Sequence, residues 1–144
     1  MENRKIGKKI KCLSNLIKRQ FDASETIAQA RRVTGTQGWV IGFLYENRGK
    51  EIFQRDVETH FEIRRPTASG ILRLMEKNGL VERSPVPYDQ RLKKLTLTEK
   101  AIKLQENVLK EICFIESKLC AGISEAELDV FIVVLDRMTC NLQS

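Results

Sequence analysis

Residues 63–97 read IRRPTASGILRLMEKNGLVERSPVPYDQRLKKLTL. The pattern changes partway through this stretch, and that change decides the fold. Up to Asn78, apolar residues at Ala68, Ile71 or Leu72, and Met75 recur at helical spacing. Pro66 sits where a first helical turn would leave the N–H it lacks without a partner in any case. Gly79 closes the segment, so a helix is predicted over residues 65–78. Beyond it, Leu80-Val81 and Leu95-Thr-Leu97 flank a polar, proline-containing run. This predicts two short antiparallel strands with a loop at 84–93. Pro85 and Pro87 deny helix to the loop, and Asp89 suits a turn. So polar a hairpin is expected to make little core and to project as a wing.

Upstream, Phe53, Val57 and Phe61 mark a short amphipathic helix. It is joined through Ile63-Arg-Arg-Pro66 to the one just described. Two short helices with a tight connection, about 25 residues in all, match a helix-turn-helix. Before them, Thr34-Gly-Thr-Gln37 reads as a capping box. The helix behind it carries Trp39, Val40, Phe43 and Leu44 and stops before Asn47-Arg-Gly49. At the start of the chain, Ile6, Ile10, Leu13, Ile17 and Phe21 form one apolar stripe, which Ile27, Ala28 and Ala30 extend toward residue 31. A helix of ~25 residues exceeds what a small domain needs for its own core, so a second subunit is expected to cover part of it.

Downstream, Thr98 caps a helix with Glu99 in its first turn. Ile102, Gln105, Val108, Leu109, Ile112, Ile115 and Leu119 continue it until Gly122. Ser124-Glu-Ala-Glu127 is a second capping box. Leu128, Phe131, Ile132, Leu135 and Met138, widened by Val130, Val133 and Val134, give the last helix a strong apolar face. The expected fold is mainly α (α+β), a winged helix-turn-helix with long N- and C-terminal dimerisation helices, in one domain of 144 residues. Residues 34–97 form its winged helix-turn-helix region, and residues 1–31 and 98–144 its helical dimerisation region. Pairing across a two-fold axis is the economical assembly.

The charge is concentrated. Residues 64–94 hold eight basic and three acidic side chains, and residues 1–20 hold seven basic and one acidic, Glu2, while the rest of the chain is net acidic. Two basic patches on an otherwise acidic chain point to a polyanion, nucleic acid first. No apolar run approaches the roughly 18 residues of a membrane span. The charged N-terminus has no apolar segment behind it, so a cytoplasmic location is expected. Cys12, Cys113, Cys120 and Cys140 lack metal-ligand or CxxC spacing. His60 is the single histidine, too little for a metal site. Neither a phosphate-binding glycine loop nor a nucleophile–base constellation is present. No cofactor, no metal and no catalysis are expected.

Residues 34–101 resemble the MarR family of winged helix-turn-helix transcription regulators. The resemblance is carried by Thr34-Gly-Thr-Gln37 with Trp39, by Arg65-Pro-Thr67-Ala-Ser69-Gly-Ile-Leu72, and by Met75-Glu-Lys-Asn-Gly79-Leu-Val-Glu-Arg83. Asp89-Gln-Arg91 and Lys94-Leu-Thr-Leu-Thr98-Glu-Lys complete it, and the order of elements agrees over the whole chain. It implies a homodimer on pseudo-palindromic double-stranded DNA, usually a repressor, often released by a small amphipathic effector or an oxidant. It places Arg65, Thr67, Ser69 and Arg73 on the recognition helix and Arg91 at the wing tip, in the minor groove. Asp89 falls at the acidic position that stabilises the wing. Arg64 stands where relatives often have a small helix-starting residue, Ala101 where glycine is frequent, and Lys93-Lys94 adds charge to the wing.

From these residues, Arg65 and Arg73 are candidates for base or phosphate contact, and Thr67 and Ser69 for base or backbone. Arg64, Lys77, Arg83, Lys93 and Lys94 are candidates for phosphates. Each has the alternative of an ordinary solvated charge, and Arg91 that of a salt bridge to Asp89. Trp39 and Phe43 could line an effector pocket or serve as core. Cys12, beside Lys8, Lys9 and Lys11, is the candidate for redox sensing, whereas the other cysteines read as small hydrophobes. A protein-binding adaptor of the same fold is the other class of function, and the basic surface speaks against it.

Overall fold

The computed structural model describes residues 4–144; Glu2 lies outside them. In chain order the elements are α1 (Ile6–Ala23), α2 (Glu25–Thr34), a 3-10 turn (Gly35–Gln37), α3 (Gly38–Glu46), α4 (Gln54–Phe61) and α5 (Arg65–Lys77). A hairpin of β1 (Val81–Val86) and β2 (Asp89–Leu97) follows, then α6 (Glu99–Leu119) and α7 (Glu125–Gln143). The protein is mainly helical with a two-stranded antiparallel sheet, the fold class expected of it. It divides into two compact units, Met1–Glu111 and Ile112–Ser144.

The first unit has a continuous core. Val40, Ile41 and Leu44 of α3 meet Ile52, Val57 of α4, and Leu72 and Met75 of α5. Leu80, Val81, Leu95 and Leu97 close it from the hairpin, and Ala101 from the start of α6. Ala68, Leu72 and Met75 are the buried stripe of α5, with Ile71 only half-buried. Gly79, at φ +72°, ends α5 in the left-handed region that suits glycine. The Thr98 hydroxyl then does two things. It accepts from Ala101 N–H, capping α6, and donates to the Gly79 carbonyl at 2.6 Å.

Four expectations need correction. The predicted first helix to residue 31 is two helices. Ser24 adopts an extended backbone, and its side chain accepts from Ile27 N–H at 3.3 Å, starting α2. Thr34-Gly-Thr-Gln37 is not a capping box. The Thr34 hydroxyl instead donates backward to the Ala30 carbonyl at 2.9 Å, and Gly35 at φ +58° ends α2. The loop predicted at 84–93 is mostly strand. Ser84 pairs with Lys94, Pro85 with Lys93 and Val86 with Asp89, so the turn is only Pro87 and Tyr88, and residues 90–92 bulge from β2. A two-stranded sheet has open edges, where proline costs no ladder bond. Nor is the hairpin nearly without core, since Val81 and Val86 are each 1% exposed and Leu95 and Leu97 are also buried.

In the second unit, Gly122 (φ +77°) breaks the chain after α6. The Ser124 box forms as expected. Glu127 N–H donates to Ser124 Oγ at 3.2 Å, and Ser124 N–H to Glu127 Oε2 at 2.9 Å. The Ser124 N–H, and the Ser124 hydroxyl at 3.0 Å, donate to the Glu127 carboxylate and hold its pKa below the ordinary value.

Met75 has no solvent exposure in the central cluster. Met75→Ala is expected to cost about 2–5 kcal/mol, read as a lower urea midpoint with an unchanged slope.

Candidate nucleic-acid interface

Burying Ala68, Leu72 and Met75 turns the other side of α5 to solvent, and there Arg73 and Lys77 are exposed; Thr67 on the flank and Arg65, the first residue of the helix, are exposed too. Ser69 is half-buried and engaged. The Gln54 amide, at the first residue of α4, donates to Ser69 Oγ at 2.8 Å and to the Arg65 carbonyl at 3.4 Å. The tight connection rests on Glu62, whose left-handed backbone (φ 51°) ends α4. Arg64 occupies the N-cap of α5 with an extended backbone and no side-chain cap, as its departure from a small polar residue implied.

The wing is not a straight projection. Its turn is folded back, with Val86 buried and the Tyr88 hydroxyl donating to Glu51 Oε2 at 2.6 Å. Donating to a carboxylate raises the Tyr88 pKa. Leu95 N–H donates to the Ile52 carbonyl at 2.7 Å, tying β2 to the same segment. What protrudes is the 90–92 bulge. There Asp89 Oδ1 accepts from Arg91 N–H at 2.9 Å and from Arg91 Nε at 3.3 Å. Asp89 therefore shapes the bulge, yet the Arg91 side chain stays 91% exposed.

These elements enclose a groove of about 490 Å³ lined by Arg55, Arg65, Ser69, Arg83, Arg91 and Lys93, with Glu58 as its one carboxylate. Five cations from α4, α5 and the hairpin thus face one open space. Arg83 is also held 3.4 Å from Glu76 Oε2, which ties the base of the wing to α5. Lys94 does not join them. Successive strand residues face opposite ways, and Lys94 lines a separate cavity of about 370 Å³ with Leu44, Ile52, Leu97 and Ile102. Gln54 and Arg55 escaped the sequence reading, because nothing in the local pattern of α4 shows which helix its first turn will meet.

Trp39 and Phe43 belong to an aromatic cluster. Trp39 packs edge-on against Phe61 at 4.2 Å between ring centroids. Phe43 stacks on His60 at 4.3 Å and meets Phe61 edge-on at 5.5 Å. The cluster is open to solvent, with Trp39 40% exposed. His60 and Phe61, which the sequence did not single out with Trp39, come from the last turn of α4. Cys12, Cys113 and Cys140 are exposed and Cys120 half-buried, all as free thiols. Among the described residues no cluster of His, Cys, Asp and Glu could hold a metal, and no helix is long and apolar enough to cross a membrane.

The model of the MarR family matches residues 33–92. The transcription regulator MarR from Oenococcus oeni PSU-1 is 33% identical, over 93% of this chain and 98% of that one, with a TM-score of 0.56. S. aureus MepR bound to ethidium bromide is 27% identical, over 94% and 95% of the two chains, with a TM-score of 0.79. The S. aureus MepR–DNA complex is 27% identical, over 96% of each chain, with a TM-score of 0.62. The hairpin standing beside α5, the basic groove between them, and identity of this extent over nearly the full length lead to one conclusion: the chain belongs to the MarR family of winged helix-turn-helix, DNA-binding transcription regulators.

Proposed function

We propose that the protein is a homodimeric repressor of a pseudo-palindromic operator, released by a small amphipathic effector, and that it works in the cytoplasm. The observation that carries this reading is the groove in which Arg55, Arg65, Arg83, Arg91 and Lys93 converge. α5 enters the major groove, where base edges distinguish all four pairs. Arg65, Thr67 and Arg73 face bases or nearby phosphates, while Ser69 holds Gln54 in place. Arg91, on its bulge, reaches the minor groove, whose narrow stretches focus negative potential. Lys77, Lys93 and Arg64 meet phosphates. Residues 34–97 are thus the DNA-reading region. The S. aureus MepR–DNA complex supports the assignment through its similarity alone.

Dimerisation is assigned to residues 1–31 and 98–144. α7 leaves Val130, Phe131, Ile132 and Val133 each more than half exposed. α1 leaves Ile6, Ile10, Leu13 and Leu16 exposed. Apolar faces of that extent are normally covered, and a second copy is the economical cover. The effector reading rests on the open aromatic cluster of Trp39, Phe43, His60 and Phe61, which suits a flat aromatic molecule. S. aureus MepR binds one such molecule, ethidium. Cys12 is exposed, which access by an oxidant requires. Nothing beyond that exposure favours a thiol switch over the aromatic site.

Genomic DNA selection with the purified full chain at ~150 mM salt is expected to enrich an inverted repeat with half-site centres about one helical turn apart. Arg91→Ala should weaken binding to that site about tenfold and reduce its salt dependence. Undiminished affinity would remove Arg91 from the interface, and no enriched site would remove the repressor reading. Leu135→Asp should give monomers by light scattering; an intact dimer would show that α7 is not at the interface. Without DNA, ethidium should quench the fluorescence of Trp39, the only tryptophan. Phe43→Ala should weaken that binding about fivefold, the worth of one aromatic pair. Constant fluorescence would place the effector elsewhere.

A further inference from the structure

The outward face of α5 carries an uncharged line beside its cations. Thr67, Gly70 and Leu74 stand at i, i+3 and i+7, so they lie one above another along the helix. All three are exposed, Leu74 at 46%. Gly70 lies in the interior of the helix, outside the left-handed region, and a Cβ placed there would meet nothing within 4 Å. Neither the turn geometry nor the packing of this chain requires a glycine at 70, although glycine weakens a helix interior relative to alanine. What it provides is access, since a partner's surface can come up to the bare helix backbone. Leu74, one turn on, offers apolar surface at the edge of that opening, and Thr67 offers a methyl group on the other side.

Major-groove edges are mostly hydrogen-bond donors and acceptors, with one apolar feature, the C5-methyl of thymine. We propose that Thr67, Gly70 and Leu74 form a specificity-determining strip that seats a thymine methyl at a fixed position of each half-site. Gly70 supplies the close approach, and Leu74 and Thr67 supply the apolar contact. Arg73 and Lys77, exposed along one side of this line, hold the neighbouring phosphates. Specificity then comes from two kinds of contact on one helix face: polar reading by arginine and shape reading by the strip. The proposal rests on α5 being the helix that enters the major groove, as argued above.

The test uses the site enriched by the wild-type protein. A thymine should be fixed at one position per half-site. Replacing it with deoxyuridine removes only the methyl and should weaken wild-type binding about fourfold per half-site, the worth of one apolar carbon. Leu74→Ala should reduce the difference between the thymine and deoxyuridine sites to about twofold or less, because the methyl keeps only Thr67 as a neighbour. Gly70→Leu should lose about tenfold or more in operator affinity through crowding. Its thermal midpoint should hold or rise, because the side chain points to solvent in the free protein. Three results would overturn the proposal: deoxyuridine tolerated at every thymine, the same methyl dependence in Leu74→Ala as in wild type, or full affinity in Gly70→Leu. Those results leave the repressor reading standing. Failure to enrich any site overturns both.

Discussion

Burial of one side of α5 against the base of the hairpin governs the rest of the winged helix-turn-helix. Leu72 and Met75 meet Leu80, Val81 and Leu95 in one water-excluded cluster. A helix that buries residues 68, 72 and 75 has no freedom of rotation left, because 3.6 residues per turn then assigns every other position to a face. Arg73 and Lys77 are outside because Ala68, Leu72 and Met75 are inside, whereas Arg65, on the buried stripe by spacing, is exposed because it is the first residue of the helix. The same cluster holds the hairpin, and the Leu95–Ile52 and Thr98–Gly79 hydrogen bonds remove its remaining freedom to swing. Cations that lie up to 38 positions apart, such as Arg55 and Lys93, come to one groove for this reason.

The wing solves a different problem. Arg91, the proposed minor-groove contact, stands exposed without a core beneath it. The chain holds it there by anchoring what surrounds it. Val86 is buried, Tyr88 is bonded to Glu51, and Asp89 turns the backbone of Arg91 outward. An exposed ion pair such as Asp89–Arg91 contributes little stability in water. Its use here is geometric: one carboxylate oxygen takes both the backbone and the side-chain N–H of Arg91, and so sets the direction of the bulge. The guanidinium keeps most of its donors free.

The legible parts of the sequence were those where a local pattern and the tertiary outcome agree. α5 was readable from Pro66, the apolar spacing of 68, 71 or 72, and 75, and Gly79, and α7 from its Ser124–Glu127 box. Elsewhere a local signal competed with a stronger one. Apolar residues continue from Phe21 to Ile27, so periodicity alone passes over Ser24, although Ser24 followed by Glu25 is a helix start in its own right. Thr34 offered its hydroxyl to two partners, and the Ala30 carbonyl took it. In the hairpin, polarity was a poor guide to burial, because Val86 is a single residue among prolines and charges. The candidate site divided in the same way. Lys93 and Lys94 looked equivalent in a basic run, but only the register of β2 decides which of two neighbours faces the groove. Gln54, Arg55, His60 and Phe61 depend on what α4 packs against, and no local window contains that information.

α4 shows why so short a helix matters to the proposed response to an effector. It is eight residues long, about 12 Å from end to end. Its first turn supplies Gln54, bonded to Ser69 and to the Arg65 carbonyl, and Arg55 of the groove. Its last turn supplies His60 and Phe61, which pack on Phe43 and Trp39 of α3. Only Val57 between them is fully buried. A flat molecule inserted among the four rings must displace the last turn of α4, and a single-turn core contact resists tilting weakly. Through Gln54 the displacement reaches the N-terminal half of α5, and it carries Arg55 of the groove with it. In a dimer, where the second half-site is bound at the effective concentration set by the first, a small misplacement of one reading helix is felt in both. In the proposed response, an effector would change the position of charges that stay in place on their own helices, and α4 joins the aromatic cluster to the groove.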